Sequence, residues 1–125
     1  MAPKEDRLDY LELGAKDMQR SKAFYAEVFG WAFNDYGDDY ADVQLGHMAC
    51  GITTMRKIAS KGTGPLVVFY ARDLSGTEAR IQAAGGKIVT KTFAFPGGRR
   101  FHFKDPAGNE LAVWSDPESA SGACG

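Results

Sequence analysis

The sequence has little cysteine, little net charge and no long hydrophobic run. Only two of its 125 residues are cysteines, Cys50 and Cys124, which is too few for a disulfide framework and typical of a reduced, cytoplasmic protein. The formal net charge of −1 gives no electrostatic reason to expect a nucleic acid or an anionic membrane as partner. No apolar stretch approaches the roughly 20 residues of a membrane-spanning helix, and MAPKEDRLDY at the start lacks the apolar core of a secretion signal.

Length and composition indicate one globular domain over residues 1–125. Apolar residues make up 44% of the chain and charged residues 25%, which is ordinary for a folded domain. The chain is shorter than the length at which hydrophobic cores divide. It can therefore bury a core without disulfides or metal ions.

The chain repeats itself at an offset of 56 residues. The segment that begins at Leu8 matches the one that begins at Gly64, and each contains an apolar stretch, an aspartate, a helical pattern and a glycine. Such self-similarity indicates a duplicated structural unit. The matching pairs are Leu11 and Val67, Leu13 and Phe69, Ala15 and Ala71, Asp17 and Asp73, Met18 and Leu74, Ala23 and Ala79, and Gly30 and Gly86.

Each copy is predicted to form a strand, a helix and three further strands. In the first copy Phe24, Tyr25 and Val28 recur at helical spacing, and Gly30 is typical of a residue that ends a helix. Turns that contain glycine separate the later strands. The predicted helices cover residues 18–28 and 76–84; the strands after the first cover residues 31–36, 40–45, 49–55, 66–71, 87–95, 100–104 and 110–115.

The fold class that follows is α+β, with two tandem βαβββ modules whose curved mixed sheets surround a cavity. Module one covers about residues 8–58 and module two about residues 65–115, with a glycine-containing linker between them. Residues 116–125 are small and polar, and we expect them to form a loose tail.

Strand alternation assigns the side chains of the last hairpin to two faces. Phe101, Phe103, Leu111 and Val113 share the face that is predicted to pack on the helices. The opposite face mixes aromatic and ionisable groups and either lines a cavity or is plain solvated surface. The predicted register pairs Lys104 with Glu110, His102 with Ala112, and Arg100 with Trp114.

Two segments carry a resemblance to a known family. They are LELGAKDMQRSKAFYAEVFGW, which begins at Leu11, and FPGGRRFHFKDPAGNELAVWS, which begins at Phe95. The pattern Asp–apolar–x₂–Ser–x₂–FY–x₃–FG and the closing DPxGN turn resemble the vicinal oxygen chelate superfamily of glyoxalases, bleomycin resistance proteins and extradiol dioxygenases. The similarity, greatest to a glyoxalase-like branch, runs from about Leu8 to Trp114. Because one fold hosts many reactions, it implies the fold and no single activity.

The resemblance also implies where a metal ion would bind. In the superfamily's enzymes, side chains of the first and last strands of each module hold a divalent metal. Zinc, nickel and iron(II) need imidazole, carboxylate or thiolate donors, and this sequence lacks them there, so we expect no metal and no other cofactor. A relocated weak site at Glu12 and Glu110 is the alternative. The implied ligand positions are Tyr10, Leu66, Ala112 and one residue within 51–53.

His102 and Glu12 are the candidate catalytic residues. The imidazole of His102 could act as a general acid or base near neutral pH; alternatively it only hydrogen-bonds a neighbouring strand. Glu12 is a carboxylate in an otherwise apolar strand, and enclosure would favour its protonated form unless it pairs with Arg100 or Lys104. In the alternative interpretation, that ion pair only holds the modules together.

Five further residues are predicted to contact a ligand. Aromatic rings on the cavity face offer planar surfaces for stacking. The four rings there are Tyr10, Tyr40, Tyr70 and Trp114, and we expect at least two of them to belong to the core. An arginine can hold an anionic group through paired hydrogen bonds. The predicted ligand-binding residues are Tyr10, Tyr70, Arg100, Glu110 and Trp114.

The resemblance and the missing donors favour a protein that binds a small aromatic or carbonyl-containing ligand in its cavity without a metal. The alternatives are a metal-independent lyase or isomerase that uses His102 and Glu12, and an accessory module with a vestigial cavity. Unpaired sheet edges invite association, and relatives commonly dimerise. The expected partners are therefore a small molecule and a second copy of the chain, with neither nucleic acid nor a membrane.

Overall fold

A computed structural model describes residues 5–60 and 62–117. The predicted α+β class and the duplicated βαβββ unit are confirmed. Neither helix in this part of the chain has the length and apolar character needed to cross a bilayer. The elements are β1 (Tyr10–Gly14), α1 (Met18–Phe29), β2 (Asn34–Asp35), β3 (Tyr40–Gln44), β4 (Ala49–Thr53), β5 (Val67–Tyr70), α2 (Leu74–Ala83), β6 (Lys87–Phe95), β7 (Gly98–Lys104) and β8 (Glu110–Ser115).

Each module forms its own four-stranded mixed sheet. The strand order is β1-β4-β3-β2 in the first sheet and β5-β8-β7-β6 in the second. In both sheets the first strand of the module pairs in parallel with the last, and the other pairs are antiparallel. The two sheets are separate and do not close into a barrel.

The two aspartates that match across the repeat begin the two helices. The carboxylate of Asp17 accepts a hydrogen bond from the N–H of Arg20 at 3.3 Å, and that of Asp73 accepts one from the N–H of Gly76 at 3.0 Å. An aspartate here pairs with an N–H group that the first turn leaves free, which stabilises a helix by about 1 kcal/mol. The repeat therefore preserves the helix starts.

Element boundaries differ from the sequence prediction in two informative places. The strand expected over residues 31–36 is reduced to Asn34–Asp35, because Trp31 packs its ring on Tyr25, with 4.9 Å between ring centres, instead of joining the sheet. The second helix begins at Leu74, directly after the capping Asp73. The first helix ends as expected at Gly30, whose φ of 72° is readily adopted by glycine.

Helix α1 contacts β4 of its own sheet, and its aromatic rings reach the sheet of the other module. The ring of Phe24 lies 6.1 Å from that of Phe103 in β7, and the ring of Phe29 stacks on Phe69 in β5 at 4.1 Å. The predicted helix-facing residues of the last hairpin are all fully buried, so this face assignment is confirmed. They are Phe101, Phe103, Leu111 and Val113.

A buried carboxylate in the DPAGN turn joins the two modules. Asp105 accepts a hydrogen bond from the Tyr25 hydroxyl of α1 at 2.7 Å, and its other oxygen accepts three backbone N–H groups of its own turn. Asn109 donates both to Asp105 and to the Gly14 carbonyl at the end of β1, at 2.9 and 2.7 Å. Burial, followed by the nearby Asp105, raises the pKa of Tyr25 well above its usual value. We call this cluster of Tyr25, Asp105 and Asn109 the module joint.

Candidate functional site

His102 and Glu110 form a buried pair on the second sheet. The predicted register of β7 and β8 is confirmed, with Lys104 opposite Glu110 and Ala112 opposite His102. This places the two side chains diagonally on one face, where Nδ1 of His102 and Oε2 of Glu110 are hydrogen-bonded at 2.8 Å. The side chains are only 13% and 8% exposed, so water has little access to the pair.

Each member of the pair keeps one buried polar atom. Nε2 of His102 and Oε1 of Glu110 have no hydrogen-bond partner within the described part of the chain. A buried polar atom left unpaired costs roughly 1–3 kcal/mol, and native proteins leave few of them. Both residues line a cavity of about 240 Å³, whose other walls are linker residues 59–60 and 62–66. A ligand in this cavity could pair with both atoms.

Aromatic rings surround Arg100 on the same face. Arg100 lies opposite Trp114 in the strand register. Its guanidinium carbon is 5.4 Å from the centre of the Phe93 ring and 5.6 Å from that of Phe95. Phe93 also lies 5.9 Å from the His102 imidazole, measured between ring centres. We refer to Phe93, Phe95 and Trp114 as the aromatic shelf, which stands around Arg100 on the sheet face that carries His102 and is not part of the cavity wall.

The first sheet presents a different cluster, made of Tyr10, Tyr40 and Glu12. The two tyrosine hydroxyls are hydrogen-bonded to each other, and the Tyr40 hydroxyl donates to Glu12 at 3.1 Å. Both hydroxyls occupy the space above Gly51, where any side-chain carbon would overlap them. Burial raises the pKa of Tyr40, and its hydrogen bonds to Tyr10 and Glu12 raise it further. The tyrosines therefore hold Glu12 in place as neutral phenols.

A larger groove runs along β1 of the first sheet. Its volume is about 960 Å³, and Tyr10, Glu12, the linker, Val67 and Asn109 line it. Linker residues 59–60 and 63–65 line both this groove and the cavity at His102. The linker is thus a shared wall of the two spaces.

The expected pairing of Glu12 with Arg100 or Lys104 is wrong. Glu12 accepts its hydrogen bond from Tyr40 instead, because β1 pairs with β4 and keeps the carboxylate on the first sheet. Within the described residues, no hydrogen bond or ion pair joins Glu12 to His102. The two predicted catalytic residues therefore lie in separate clusters, and Glu110, predicted as a ligand-binding residue, is the partner of His102.

The expectation that at least two of four rings belong to the core is also wrong. Tyr10 and Tyr70 are 41% and 51% exposed, and Tyr40 and Trp114 are half-buried. All four stand on sheet faces that the helices do not cover. Tyr70 and Trp114 lie together, with 4.9 Å between ring centres, and the Tyr70 hydroxyl donates to Asp116.

Sequence reasoning missed three residues that contribute to the site. Phe93 and Phe95 hold Arg100, and their alternation in the segment TFAF was a usable signal, since alternate residues of a strand share a face. Asn109 holds the linker beside the cavity, because its side-chain oxygen accepts the N–H of Ala59 at 2.8 Å. Its place in the DPAGN motif was the available signal for that role.

Comparison with known proteins identifies the family. A model of the Glyoxalase/Bleomycin resistance protein/Dioxygenase superfamily matches residues 7–113, which is most of the chain. The chain belongs to this superfamily.

Similar members of the superfamily are known by sequence and by structure. The chain is 25% identical over 115 residues to proteins named "Putative glyoxylase CFP32" from Mycobacterium bovis and Mycobacterium tuberculosis. That match covers 85% of this chain and 44% of theirs, so the chain spans less than half the length of these curated relatives.

Two solved structures illustrate the shared fold. A glyoxalase-related enzyme from Fulvimarina pelagi has a TM-score of 0.74 at 21% identity, over 89% of this chain and 88% of that one. A lactoylglutathione lyase from Agrobacterium tumefaciens has a TM-score of 0.67 at 20% identity, over 90% and 95%. At these identities the similarity shows the fold alone.

The metal site implied by the glyoxalase superfamily does not fit the residues of this chain. Leu66 and Ala112 offer no donor atom, and two tyrosine hydroxyls fill the space above Gly51. Burial raises the pKa of Tyr10 above its usual value, which disfavours the phenolate that a metal would require. Within residues 5–60 and 62–117, no three His, Cys, Asp or Glu side chains form a group that could hold a metal ion.

Proposed function

We propose that this glyoxalase-superfamily protein binds a small planar ligand, aromatic or carbonyl-containing, beside His102 and Glu110 without a metal ion. The observation that carries the proposal is the pair of buried atoms, Nε2 and Oε1, which have no partner among the described residues and belong to two residues that line a cavity. The aromatic shelf next to His102 supports it, because a planar ligand could stack there.

The protonation of the imidazole decides which polar groups the ligand must offer. With Glu110 ionised, neutral His102 keeps its proton on Nδ1 and presents Nε2 as an acceptor. A protonated imidazole presents an N–H donor there, which suits a carbonyl oxygen. Oε1 of Glu110 accepts a hydrogen bond from a hydroxyl or amide group in either state. Hydroxylated and carbonyl compounds are the matching chemical class.

A neutral aromatic ketone tests the binding proposal. Para-acetylbenzamide combines a planar ring, a ketone and an amide donor, and titration into isotope-labelled protein is followed by nuclear magnetic resonance. We expect saturable shifts at residues of β7 and β8. His102→Ala should weaken binding about tenfold, equivalent to about 1.4 kcal/mol, because it removes Nε2 and the partner of Glu110.

The chain supplies a matched control for this experiment. His47 is its other histidine and lies exposed in a turn of module one, so His47→Ala should leave the affinity unchanged. Equal affinities for the wild type and a folded His102→Ala variant would contradict the proposed site. If the wild type binds no probe of this class, the accessory module with a vestigial cavity is the better account.

A metal-independent lyase or isomerase is the second candidate function. One feature favours it: Glu110 holds Nδ1 of His102 and leaves Nε2 free, which is how an enzyme orients a general base. In an isomerisation, Nε2 would take a proton from the carbon beside a carbonyl, and the resulting enolate would regain a proton elsewhere. Glu12 could take part in such a reaction only if the substrate extends past the linker into the groove along β1.

Proton exchange separates binding from catalysis. In D₂O, an enzyme of this kind should speed deuterium incorporation into the acetyl methyl group of para-acetylbenzamide above the rate in buffer. The acceleration should disappear in His102→Ala and persist in His47→Ala. If the ketone binds and its deuterium exchange is not accelerated, the protein is a binding protein for this class, and lyase or isomerase activity on aryl ketones is excluded.

The metal-free state is part of the proposal and has its own test. Elemental analysis after mild purification should find no stoichiometric zinc, nickel or iron, because the implied ligand positions lack donors. One tightly bound metal ion per chain, lost in Glu12→Gln or Glu110→Gln, would contradict this prediction. It would show that a metal site has been relocated to these glutamates.

A second copy of the chain is the proposed protein partner. Tyr10, Val68, Tyr70 and Phe93 lie on strands of the two sheets and are 37–51% exposed, and a closed two-fold pair would cover such a surface. Light scattering should give about twice the chain mass of 13.6 kDa, and the mass of a single chain at micromolar concentration would contradict the dimer. A cytoplasmic location and the lack of nucleic-acid and membrane partners stay predictions.

A further inference from the structure

The second sheet carries an excess of positive charge. Its strands contain one carboxylate, Glu110, which is already bonded to His102. On the face of β7 and β8 that carries His102, Arg100 and Lys104 stand with one carboxylate, Glu110, so a small-molecule site there has a basic surrounding. The lysines and arginines of the second sheet are Lys87, Lys91, Arg99, Arg100 and Lys104.

Arg100 and Lys104 share the face of β7 that carries His102, and Arg100 is the one that aromatic rings hold in place. Phe93 and Phe95 lie under its guanidinium at 5.4 and 5.6 Å, within the range of a cation–π contact. Its Nε is buried without a hydrogen-bond partner, and within residues 5–60 and 62–117 no carboxylate pairs with it. A cation–π contact uses no N–H hydrogen bond, so the guanidinium group keeps N–H donors for another acceptor.

We propose, building on the ligand site described above, that the ligand is a carboxylate whose anionic group binds Arg100. A carboxylate is planar and matches the edge of a guanidinium group through two parallel hydrogen bonds. The planar body of the ligand lies along the aromatic shelf. At its other end a hydroxyl donates to Oε1 of Glu110, or a carbonyl accepts from Nε2 of a protonated His102. The substrate class is thus an aromatic acid that carries a second polar group.

The strand geometry sets the distance between the two ends of this ligand. Arg100 and His102 are alternate residues of β7 on one face, so their backbones are about 7 Å apart. That separation is close to the span of a benzene ring with one substituent at each end. Acids with the second polar group directly beside the carboxylate are too short to engage both residues at once.

Two probes that differ in one charge test the inference. Para-acetylbenzoate has the ketone and ring of para-acetylbenzamide, but a carboxylate replaces the neutral amide. We expect wild-type protein to bind the acid at least about tenfold more tightly, a difference of about 1.4 kcal/mol. Arg100→Met should abolish that preference, because it weakens binding of the acid about tenfold more than binding of the amide. The indole signals of the two tryptophans locate the effect, since only Trp114 lies opposite Arg100.

Controls separate loss of the arginine from loss of charge or fold. Arg72→Met makes the same change at an exposed position after β5 and should leave the preference for the acid intact. Arg100→Lys keeps the charge without the planar fork and should retain only part of the preference, which also serves if Arg100→Met fails to fold. A melting curve of each variant checks the fold.

Each outcome bears on a different statement. If the wild type binds the amide and the acid equally, or if Arg100→Met weakens both probes alike, the role of Arg100 is overturned and the ligand site stands. If neither probe binds up to about 10 mM, the ligand site is overturned together with the inference.

Discussion

The two sheets share one topology and differ in the chemistry of their strands. The first sheet carries the carboxylates Glu12, Asp35 and Asp42 and no lysine, arginine or histidine. The second carries five lysines and arginines, one histidine and one carboxylate. The polar cluster of the first is an exposed one held by tyrosine hydroxyls, whereas that of the second is a buried histidine–glutamate pair beside stacked rings.

This difference shows which parts of a duplicated unit are free to change. The residues that match across the repeat are the capping aspartates and the apolar residues that build each module. The polar residues of the two sites differ between the modules and stand on the sheet faces that the helices do not cover. At those positions the fold requires only residues that are compatible with a strand. The chemistry of the site has diverged on that face, and module two now carries the buried pair.

The largest expected effect comes from breaking the module joint, whose central carboxylate, Asp105, belongs to module two. Asp105→Ala leaves the Tyr25 hydroxyl, the Asn109 amide and three backbone N–H groups without their acceptor. We expect the free energy of unfolding in urea to fall by about 3 kcal/mol or more. Asp38→Ala, in an exposed turn of module one, should change it by less than about 0.5 kcal/mol. If Asp105→Ala lowered the free energy of unfolding no more than Asp38→Ala does, the module joint would not hold the two modules together.

A smaller effect separates the two glutamates that face away from the helices. Glu110→Ala removes the partner of a buried histidine and should cost about 1–3 kcal/mol of stability. Glu12→Ala removes an exposed acceptor of one hydrogen bond and should cost less than about 0.5 kcal/mol. Urea unfolding of both variants at the same pH gives the comparison. A larger loss in Glu12→Ala would reverse the assignment of the buried pair to module two.

The smallest effect tests the packing over Gly51 in the first sheet. Gly51→Ala adds a carbon where the hydroxyls of Tyr10 and Tyr40 lie, and the exposed rings can shift at a cost of about 1 kcal/mol. Tyr40→Phe in the same chain should return part of that loss, because it removes one of the overlapping atoms. Thermal or urea unfolding of the two single variants and the double variant measures this coupling. Strict additivity would contradict the close packing.

The fold and the faces of its last hairpin could be predicted because local patterns determine them. The matched pairs Asp17–Asp73 and Gly30–Gly86 revealed the duplication, and alternation in FHF and LAV assigned the buried face. The DPAGN turn then fixed the register of β7 and β8. A shift of one residue would have moved every apolar side chain to the wrong side.

The partners of individual side chains could not be predicted in the same way. Glu12 pairs with Tyr40 because of strand order within one sheet, and alternation along a strand says nothing about which strands are neighbours. Trp31 shows the same limit: an apolar residue after a helix is compatible with a strand and with packing on Tyr25, and tertiary contacts decide between them. The local pattern identified His102 as a candidate, but its pairing with Glu110 required the structure.

The hydrogen bond between Tyr25 and Asp105 spans 80 residues, and this separation constrains how the chain matures during translation. Helix α1 leaves the ribosome while the sheet that covers Phe24 and Phe29 has yet to be made. Domains are synthesised from the N-terminus at about 5–20 residues per second, so the helix waits several seconds with its aromatic face uncovered. A product that ends between α1 and β5 lacks both Phe69 and Phe103 and leaves that face uncovered, so we expect chaperones and proteases to act on it.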